Sequence, residues 1–209
     1  APCVNKADGR AGSKGVVRPE TKEEAKTRIH DFMLNEKFRE ASSKVILEEF
    51  LDGIEFSVFV YTNGKEYTIL PNAKDYKRRF EGNKGLNTGG MGCISPVPFV
   101  DKGLMDKVER EIIQPTITGL QNDNMPYQGF IYFGLINCGG SPKVIEYNCR
   151  LGDPETEIIL PRMGADMIEM FQAGFENRLT DFDVKISSKS AATVILVSDG
   201  YPEGYEKGF

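Results

Sequence analysis

Short apolar runs of strand length recur along the chain, and stretches with helical periodicity lie between them. Cys3–Lys6 and Lys14–Arg18 read as strands joined by the Gly-rich segment Ala7–Ser13. Thr21-Lys22-Glu23-Glu24 has the form of a capping box, and the helix it opens carries Ala25, Ile29, Phe32 and Met33 on one face. Lys44–Leu51 reads as a strand through Val45, Ile46 and Leu47. Phe56–Tyr61 and Glu66–Leu70 predict a hairpin. The Asn63-Gly64 pair between them suits a type I′ turn, which needs positive φ at both central residues. Asp75–Gly92 is charged, Gly-rich and without periodicity, and so reads as a long loop. Asp101 is placed to cap a helix bearing Leu104, Met105, Val108, Ile112 and Ile113. Gly129–Asn137 and Lys143–Cys149 form a second strand pair, turned by Cys138–Pro142. Asp153-Pro154 has the form of a cap followed by proline at the first helical position. Pro161 interrupts that helix, Ala165–Phe175 resumes it, and Ala191–Val197 is a last strand. Hairpins with interposed helices predict an α+β fold of layers on mostly antiparallel sheets.

Composition narrows what such a fold does. The 209 residues are 40% hydrophobic, enough for one large or two smaller cores, and the net charge of −5 argues against non-specific nucleic-acid binding. No apolar run approaches the roughly 20 residues of a membrane span. Ala1–Arg10 has no apolar segment of the kind found in signal peptides, so a cytoplasmic protein is expected. Four cysteines (Cys3, Cys93, Cys138, Cys149) lack CxxC spacing and only His30 could join them, which disfavours a zinc site or a His-based nucleophile. The cysteines are expected to be reduced.

Four constellations carry candidate chemistry. Lys6 and Lys14 flank a Gly-rich turn whose backbone N–H groups could face a phosphate; a solvent-exposed hairpin with surface lysines is the other reading. Glu48-Glu49-Phe50-Leu51 ends a strand ahead of Gly53 and could offer backbone groups to an adenine edge, with Glu55 accepting from ribose hydroxyls; the alternative is an acidic turn. Glu146 and Asn148 are two apart on a strand and share a face, so a carboxylate and an amide oxygen can meet Mg²⁺. Arg150 continues the parity and suits a carboxylate or phosphate, and Asp153 lies just beyond; a polar strand end feeding a helix cap is the plain alternative. Lys77 and Arg78 precede Asn87-Thr88-Gly89-Gly90-Met91-Gly92, a pattern that suits anionic substrates or a flexible lid, and equally a disordered loop.

The wording and order of these segments are more specific than any one of them. KADGRAGSKGV, EEFLDGIEFS, KDYKRRFEGNKGLNTGGMG, GFIYFGL and PKVIEYNCRLGDPETE resemble the glycinamide ribonucleotide synthetase (phosphoribosylamine–glycine ligase) family of ATP-grasp ligases, from about Cys3 to Tyr205. The resemblance implies two α+β subdomains with antiparallel sheets clamping ATP. It implies ATP-dependent ligation of glycine to 5-phosphoribosylamine through a glycyl phosphate, with Mg²⁺ or Mn²⁺, in purine biosynthesis. It implies phosphate contacts at Lys6 and Lys14, an adenine hinge at Glu48, Glu49, Phe50 and Leu51, and a ribose carboxylate at Glu55. Glu146 and Asn148 become metal ligands. Arg150, Asp153, Lys77 and Arg78 become catalytic residues, and Asn87, Thr88, Gly89, Gly90, Met91 and Gly92 the substrate loop. This suits phosphoryl transfer, which asks a protein mainly for positioning and charge stabilisation.

The same resemblance divides the chain into a lid subdomain (1–51), a central domain (52–187) and the start of a C-terminal domain (188–209), with the family's N-terminal domain missing. Arg10, Ser13 and Asn5 depart from the family wording around the first lysines. Another ATP-grasp carboxylate–amine ligase, or a non-catalytic nucleotide-binding remnant, stand as alternatives.

Overall fold

The computed structural model describes residues 3–7, 16–19, 21–34 and 44–208. Lys14, Arg10 and Ser13 lie outside the described residues. The chain forms two compact units, Ala1–Asp52 and Gly53–Phe209.

In the first unit, β1 (Cys3–Ala7) is the middle strand of an antiparallel sheet, between β2 (Val16–Val17) and β3 (Val45–Glu49). Helix α1 (Lys22–Met33) turns Ala25 and Phe32 into the core. Its cap matches the sequence: the Thr21 hydroxyl accepts from the Glu24 N–H at 3.1 Å. Asn5, the polar residue in an apolar strand position, is fully buried and donates from Nδ2 to the Ala25 carbonyl at 3.2 Å. That bond offsets the desolvation that an unpaired buried amide would suffer.

The second unit is built on the sheet β11-β10-β4-β5, all antiparallel. Its strands are β4 (Ile54–Thr62), β5 (Tyr67–Ile69), β10 (Gly129–Cys138) and β11 (Ser141–Asn148). Side chains of β4 and β10 alternate between two cores. Phe56, Val58, Val60, Ile131, Phe133 and Leu135 pack in one, with Leu104, Val108, Ile113 and Ile117. Phe59, Tyr61 and Tyr132 pack in the other, with Ile158, Ile159, Met170 and Ala173. Burial on both faces explains why these strands read as almost continuous apolar runs.

The first core is closed by α2 (Lys102–Val108), a π-helical turn (Glu109–Ile113) and α3 (Gln114–Asn122). Asp101 caps this assembly as the sequence indicates, accepting from the Leu104 N–H at 2.8 Å. Leu104, Val108, Ile113 and Ile117 are spaced by four, five and four residues. The step of five would slide off one α-helical face, and the π turn supplies the extra residue that keeps it buried. The second core is closed by α4 (Thr156–Ile159) and α5 (Met167–Phe175).

A smaller sheet, ordered β12-β9-β6, joins β6 (Lys74–Asp75), β9 (Gly92–Ser95) and β12 (Ala191–Val194). Two more strands, β7 (Arg78–Phe80) and β8 (Lys84–Asn87), form a hairpin of their own. No helix among the described residues is long and apolar enough to cross a membrane.

Three local expectations are corrected. The Asp75–Gly92 loop contains β7 and β8; both faces of this hairpin are largely solvated, so no apolar alternation announces it. The turn after β4 is not type I′, because only Gly64 has positive φ. Asn63 instead accepts from the Lys65 and Glu66 N–H groups through Oδ1, a side-chain turn that frees its own backbone from the left-handed region. Finally, Asp153 is not a helix cap: α4 begins at Thr156, and the Thr156 N–H and hydroxyl both bond to the Gly152 carbonyl. Glu155 is drawn into the core ahead of the helix, and Asp153 stays exposed.

Candidate functional site

Strand β11 positions the proposed metal ligands. Glu146 stands opposite Gly134 and Asn148 opposite Tyr132, which puts both on the face that carries Tyr132. The ladder shifts between Gly134 and Leu135, where Leu135 pairs with Val144, so Ile145 is the extra residue of a bulge. The bulge sends Val144 towards the first core and Glu146 to the opposite face, although the two are separated by a single residue. Asn148 Nδ2 approaches Glu146 Oε1 at 3.4 Å, so the two side chains lie side by side. Glu146 is exposed and Asn148 half-buried. Gly134 makes the room: a Cβ there would stand 2.9 Å from Glu146 Cγ and 3.1 Å from the Tyr132 ring. Gly134→Ala is therefore expected to push the carboxylate aside and weaken Mn²⁺ binding about tenfold, a shift of roughly 1.4 kcal/mol, while every donor atom is retained. Isothermal calorimetry with Mn²⁺ and ATP reads this directly, and unchanged affinity would contradict it.

Beside this pair lies a polar cluster that sequence reasoning missed. Ser57 Oγ on β4 is 3.1 Å from the Tyr132 hydroxyl and donates to Glu155 Oε1 at 3.0 Å. Ser57 and Glu155 are only 3% and 2% exposed, so this carboxylate is held inside the second core by hydrogen bonding. Asp75, at the end of β6, belongs to the same electrostatic field. Its burial first, and then the negative charge of Glu155, push its pKa up to about 7; Lys77 opposes the rise. Asp75 Oδ1 is buried without a hydrogen-bond partner among the described residues. The same causes, burial and then Glu155, raise the Tyr132 phenol and the Cys93 thiol above their ordinary values. Ser57 and Tyr132 did carry a signal: each is a polar group within an apolar strand, in FSVFV and FIYFG.

Lys77, Arg78 and the Asn87–Gly92 loop come together through backbone pairing. Arg78 pairs with Asn87 across the β7–β8 hairpin, and its guanidinium donates to the Gly85 carbonyl at 2.8 Å. The Thr88 N–H and hydroxyl both donate to the Lys77 carbonyl, and the Met91 N–H to the Tyr76 carbonyl. Gly90 has φ +147°, and a Cβ on it would lie 2.5 Å from Pro154 Cδ and 3.0 Å from Asp75 Oδ1. Only glycine lets the loop sit against both the Asp153–Glu155 turn and the buried acid.

Arg150 departs from the expected parity. β11 ends at Asn148, and Arg150 lies past it, exposed, donating to the Leu151 carbonyl at 2.7 Å. Asp153 and Glu55 are exposed as well.

Within the first unit, Lys6 Nζ and Glu48 Oε2 form an ion pair at 2.6 Å. Glu48 follows Ile46, the partner of Lys6, by two residues on β3, which gives the diagonal reach for this pair. The Phe50 ring carries the Arg18 guanidinium 3.7 Å from its centroid; Glu49 is exposed and Leu51 half-buried.

Comparison with known proteins adds the decisive observation. The family model described as phosphoribosylglycinamide synthetase, ATP-grasp (A) domain, matches residues 1–156. The chain belongs to the phosphoribosylglycinamide synthetase family. It is 45% identical to a phosphoribosylamine–glycine ligase of Streptococcus pyogenes, over all of this chain and 49% of that protein. A ligase of the same name from Chlorobaculum tepidum is 43% identical, over 99% of this chain and 49% of its own length. The crystal structure of a phosphoribosylamine–glycine ligase from Thermotoga maritima superposes with a TM-score of 0.89 at 37% identity, covering 99% of this chain and 52% of that one. This chain therefore spans about half the length of the phosphoribosylamine–glycine ligases it matches. The fold is ATP-grasp, as the resemblance implied, with its α+β layers and antiparallel sheets.

The synthetase-family match reaches from the Lys6 strand to the Glu146–Glu155 segment. Glu146 and Asn148 fit a hard divalent ion: Asn148 Nδ2 faces the Glu146 carboxylate here, and turning the amide over puts its oxygen in that place, beside the carboxylate. Among the described residues no group of three or more His, Cys, Asp or Glu could hold a metal. A two-residue site of this kind suits Mg²⁺, which commonly keeps substrate phosphates and water as its other ligands.

Proposed function

We propose that the protein acts in the ATP-dependent ligation of glycine to 5-phosphoribosylamine, giving glycinamide ribonucleotide, ADP and phosphate. The observation that carries this reading is the side-by-side carboxylate and amide of Glu146 and Asn148, on the same strand face as the buried Ser57–Glu155–Tyr132 cluster, in a chain of this family.

Each group has a chemical task in this scheme. Lys6 and Lys14 supply positive charge to the ATP phosphates; Lys6 exchanges its Glu48 partner for phosphate oxygens. The Glu48–Leu51 segment presents backbone groups to adenine, and Glu55 accepts from the ribose. Glu146 and Asn148 hold Mg²⁺, which when bound offsets phosphate charge. A glycine carboxylate oxygen attacks the γ-phosphorus and the bond to the ADP oxygen breaks, giving glycyl phosphate. The amine of 5-phosphoribosylamine then attacks the acyl carbon and expels phosphate. Arg150, Lys77 and Arg78 stabilise the anionic groups, Asp153 helps to orient the amine, and the Asn87–Gly92 loop seats the substrates. Asp75 and Glu155 give the region a negative potential that suits the glycine ammonium, and Asp75 Oδ1 lacks a donor among the described residues. The N-terminal domain of the same enzyme completes the substrate site, and the four free cysteines suit a cytoplasmic protein.

The test is an assay with labelled glycine, Mg-ATP and 5-phosphoribosylamine, on the protein at the length of its relatives. ADP and labelled ribonucleotide should form together, and only when all three substrates are present. Absence of glycine-dependent ADP would overturn the reading.

A further inference from the structure

The segment that follows β12 reaches back over the proposed substrate loop. Four successive amides of that loop, Thr88 to Met91, are all bonded, but not to the same part of the chain. The Thr88 N–H goes to the Lys77 carbonyl, the Met91 N–H to the Tyr76 carbonyl and the Gly90 N–H to the Thr88 hydroxyl. These three are local. The Gly89 N–H instead donates to the Tyr201 hydroxyl at 3.2 Å, from a residue 112 positions away.

Two further ties come from the same distal stretch. The Ile195 N–H donates to the Met91 carbonyl at 3.0 Å, and Asp199 pairs with Arg79 at 3.1 Å. The Asp199 side chain is fully exposed, so this ion pair is weak. Tyr201 is itself held. Its ring meets Tyr205 edge-on at 5.3 Å, and its N–H donates to the Ser198 carbonyl at 3.2 Å. Gly200 shapes the turn: its φ is +89°, and a Cβ there would stand 2.3 Å from the Gly204 carbonyl oxygen.

We propose that Tyr201 is a positioning residue for the ligation, fixing the Asn87–Gly92 loop through its hydroxyl contact with the Gly89 N–H. The role rests on the reading above that this loop seats the substrates. Without the hydroxyl, the N–H of exposed Gly89 has no partner within the loop, while its buried neighbour Gly90 keeps its bond to Thr88; glycine backbones have the widest conformational freedom to lose on ordering. The Tyr201 contact keeps Gly89 ordered before substrate arrives, so the hydroxyl acts on substrate affinity more than on the chemical step.

Tyr201→Phe removes the oxygen and keeps the ring against Tyr205. Hydrogen exchange of the Gly89 amide, followed by NMR in this chain, should speed up about tenfold while β10 amides are unchanged. In the ligase assay, KM for glycine or 5-phosphoribosylamine should rise about tenfold, with kcat and the KM for ATP within about twofold. Arg79→Ala, which removes the surface pair with Asp199 and the contact with the Phe80 ring but leaves the phenol, should change either readout by about twofold or less. Unchanged Gly89 exchange in Tyr201→Phe would overturn the proposal. So would faster exchange with both substrate KM values unmoved, since the contact would then be merely structural. If the wild-type protein made no ribonucleotide, the functional reading would fall, and the exchange result would still decide whether Tyr201 fixes the loop.

Discussion

Glu146→Ala is expected to lower the ligase rate by a factor on the order of 10²–10³, comparable to losing one electrostatic contact in a preorganised site. The side chain lies exposed on β11, opposite Gly134 and outside both hydrophobic cores. Its removal creates no cavity and leaves no buried group unpaired, so the melting temperature should stay close to that of the wild type. The loss should instead appear in Mn²⁺ and Mg-ATP affinity measured by calorimetry, because Asn148 alone is a poor hold for a hard cation. Asn148→Ala should weaken the metal less, since it removes a neutral ligand. Undiminished Mg-ATP binding in Glu146→Ala would contradict the metal assignment.

Asp75→Asn is expected to change how stability depends on pH. The folded protein raises the Asp75 carboxyl from 3.8 to about 7, so folding favours its protonated form. The stabilisation is therefore fully present below about pH 4, declines as pH rises towards 7, and is absent above that. Asparagine resembles the protonated acid in shape and carries no charge at any pH. The variant should match the wild type at pH 4 and exceed it at pH 8, by less than the full linkage equivalent of the rise because solvent reaches part of the carboxyl and screens it. Urea unfolding at the two pH values measures the gap, and an equal difference at both would refute the electrostatic account. The same substitution should reduce affinity for glycine above about pH 7, where Asp75 is ionised and its charge faces the ammonium, and change it little at lower pH.

The elements with strong local signals were legible in the sequence. Thr21 and Asp101 cap helices where their spacing places them, and the β10–β11 hairpin turns at its Gly-Gly pair. The pairing of Glu146 with Asn148 on one face followed from strand period alone, because both lie on the same side of the bulge at Ile145. Extending that period back to Val144, or forward to Arg150, fails: the bulge inverts the first and the strand ends before the second. Bulges and strand ends are set by the neighbouring strand, which a single segment cannot show. The Ser57–Glu155 contact was illegible for a related reason. It joins residues 98 positions apart, and each looked locally like something else, a strand polar residue and a helix-start acid. Asn63 shows the remaining kind of miss. The turn was found, but a side-chain carboxamide replaced the backbone geometry that Asn-Gly usually signals.

The position of β12 has a practical consequence for anyone dividing the protein. The strand completes a sheet with β9 and β6, and β9 begins at the last glycine of the Asn87–Gly92 loop. An excised domain that stops before Ala191 would leave the N–H and C=O groups of Gly92–Ser95 as an open sheet edge, a template for aggregation. A fragment that stops between Val194 and Tyr201 would close that edge and still lose the phenol on Gly89. Domain swaps, circular permutations and fragment libraries of this protein should therefore place their C-terminal junction beyond Tyr205, even where composition suggests an earlier one.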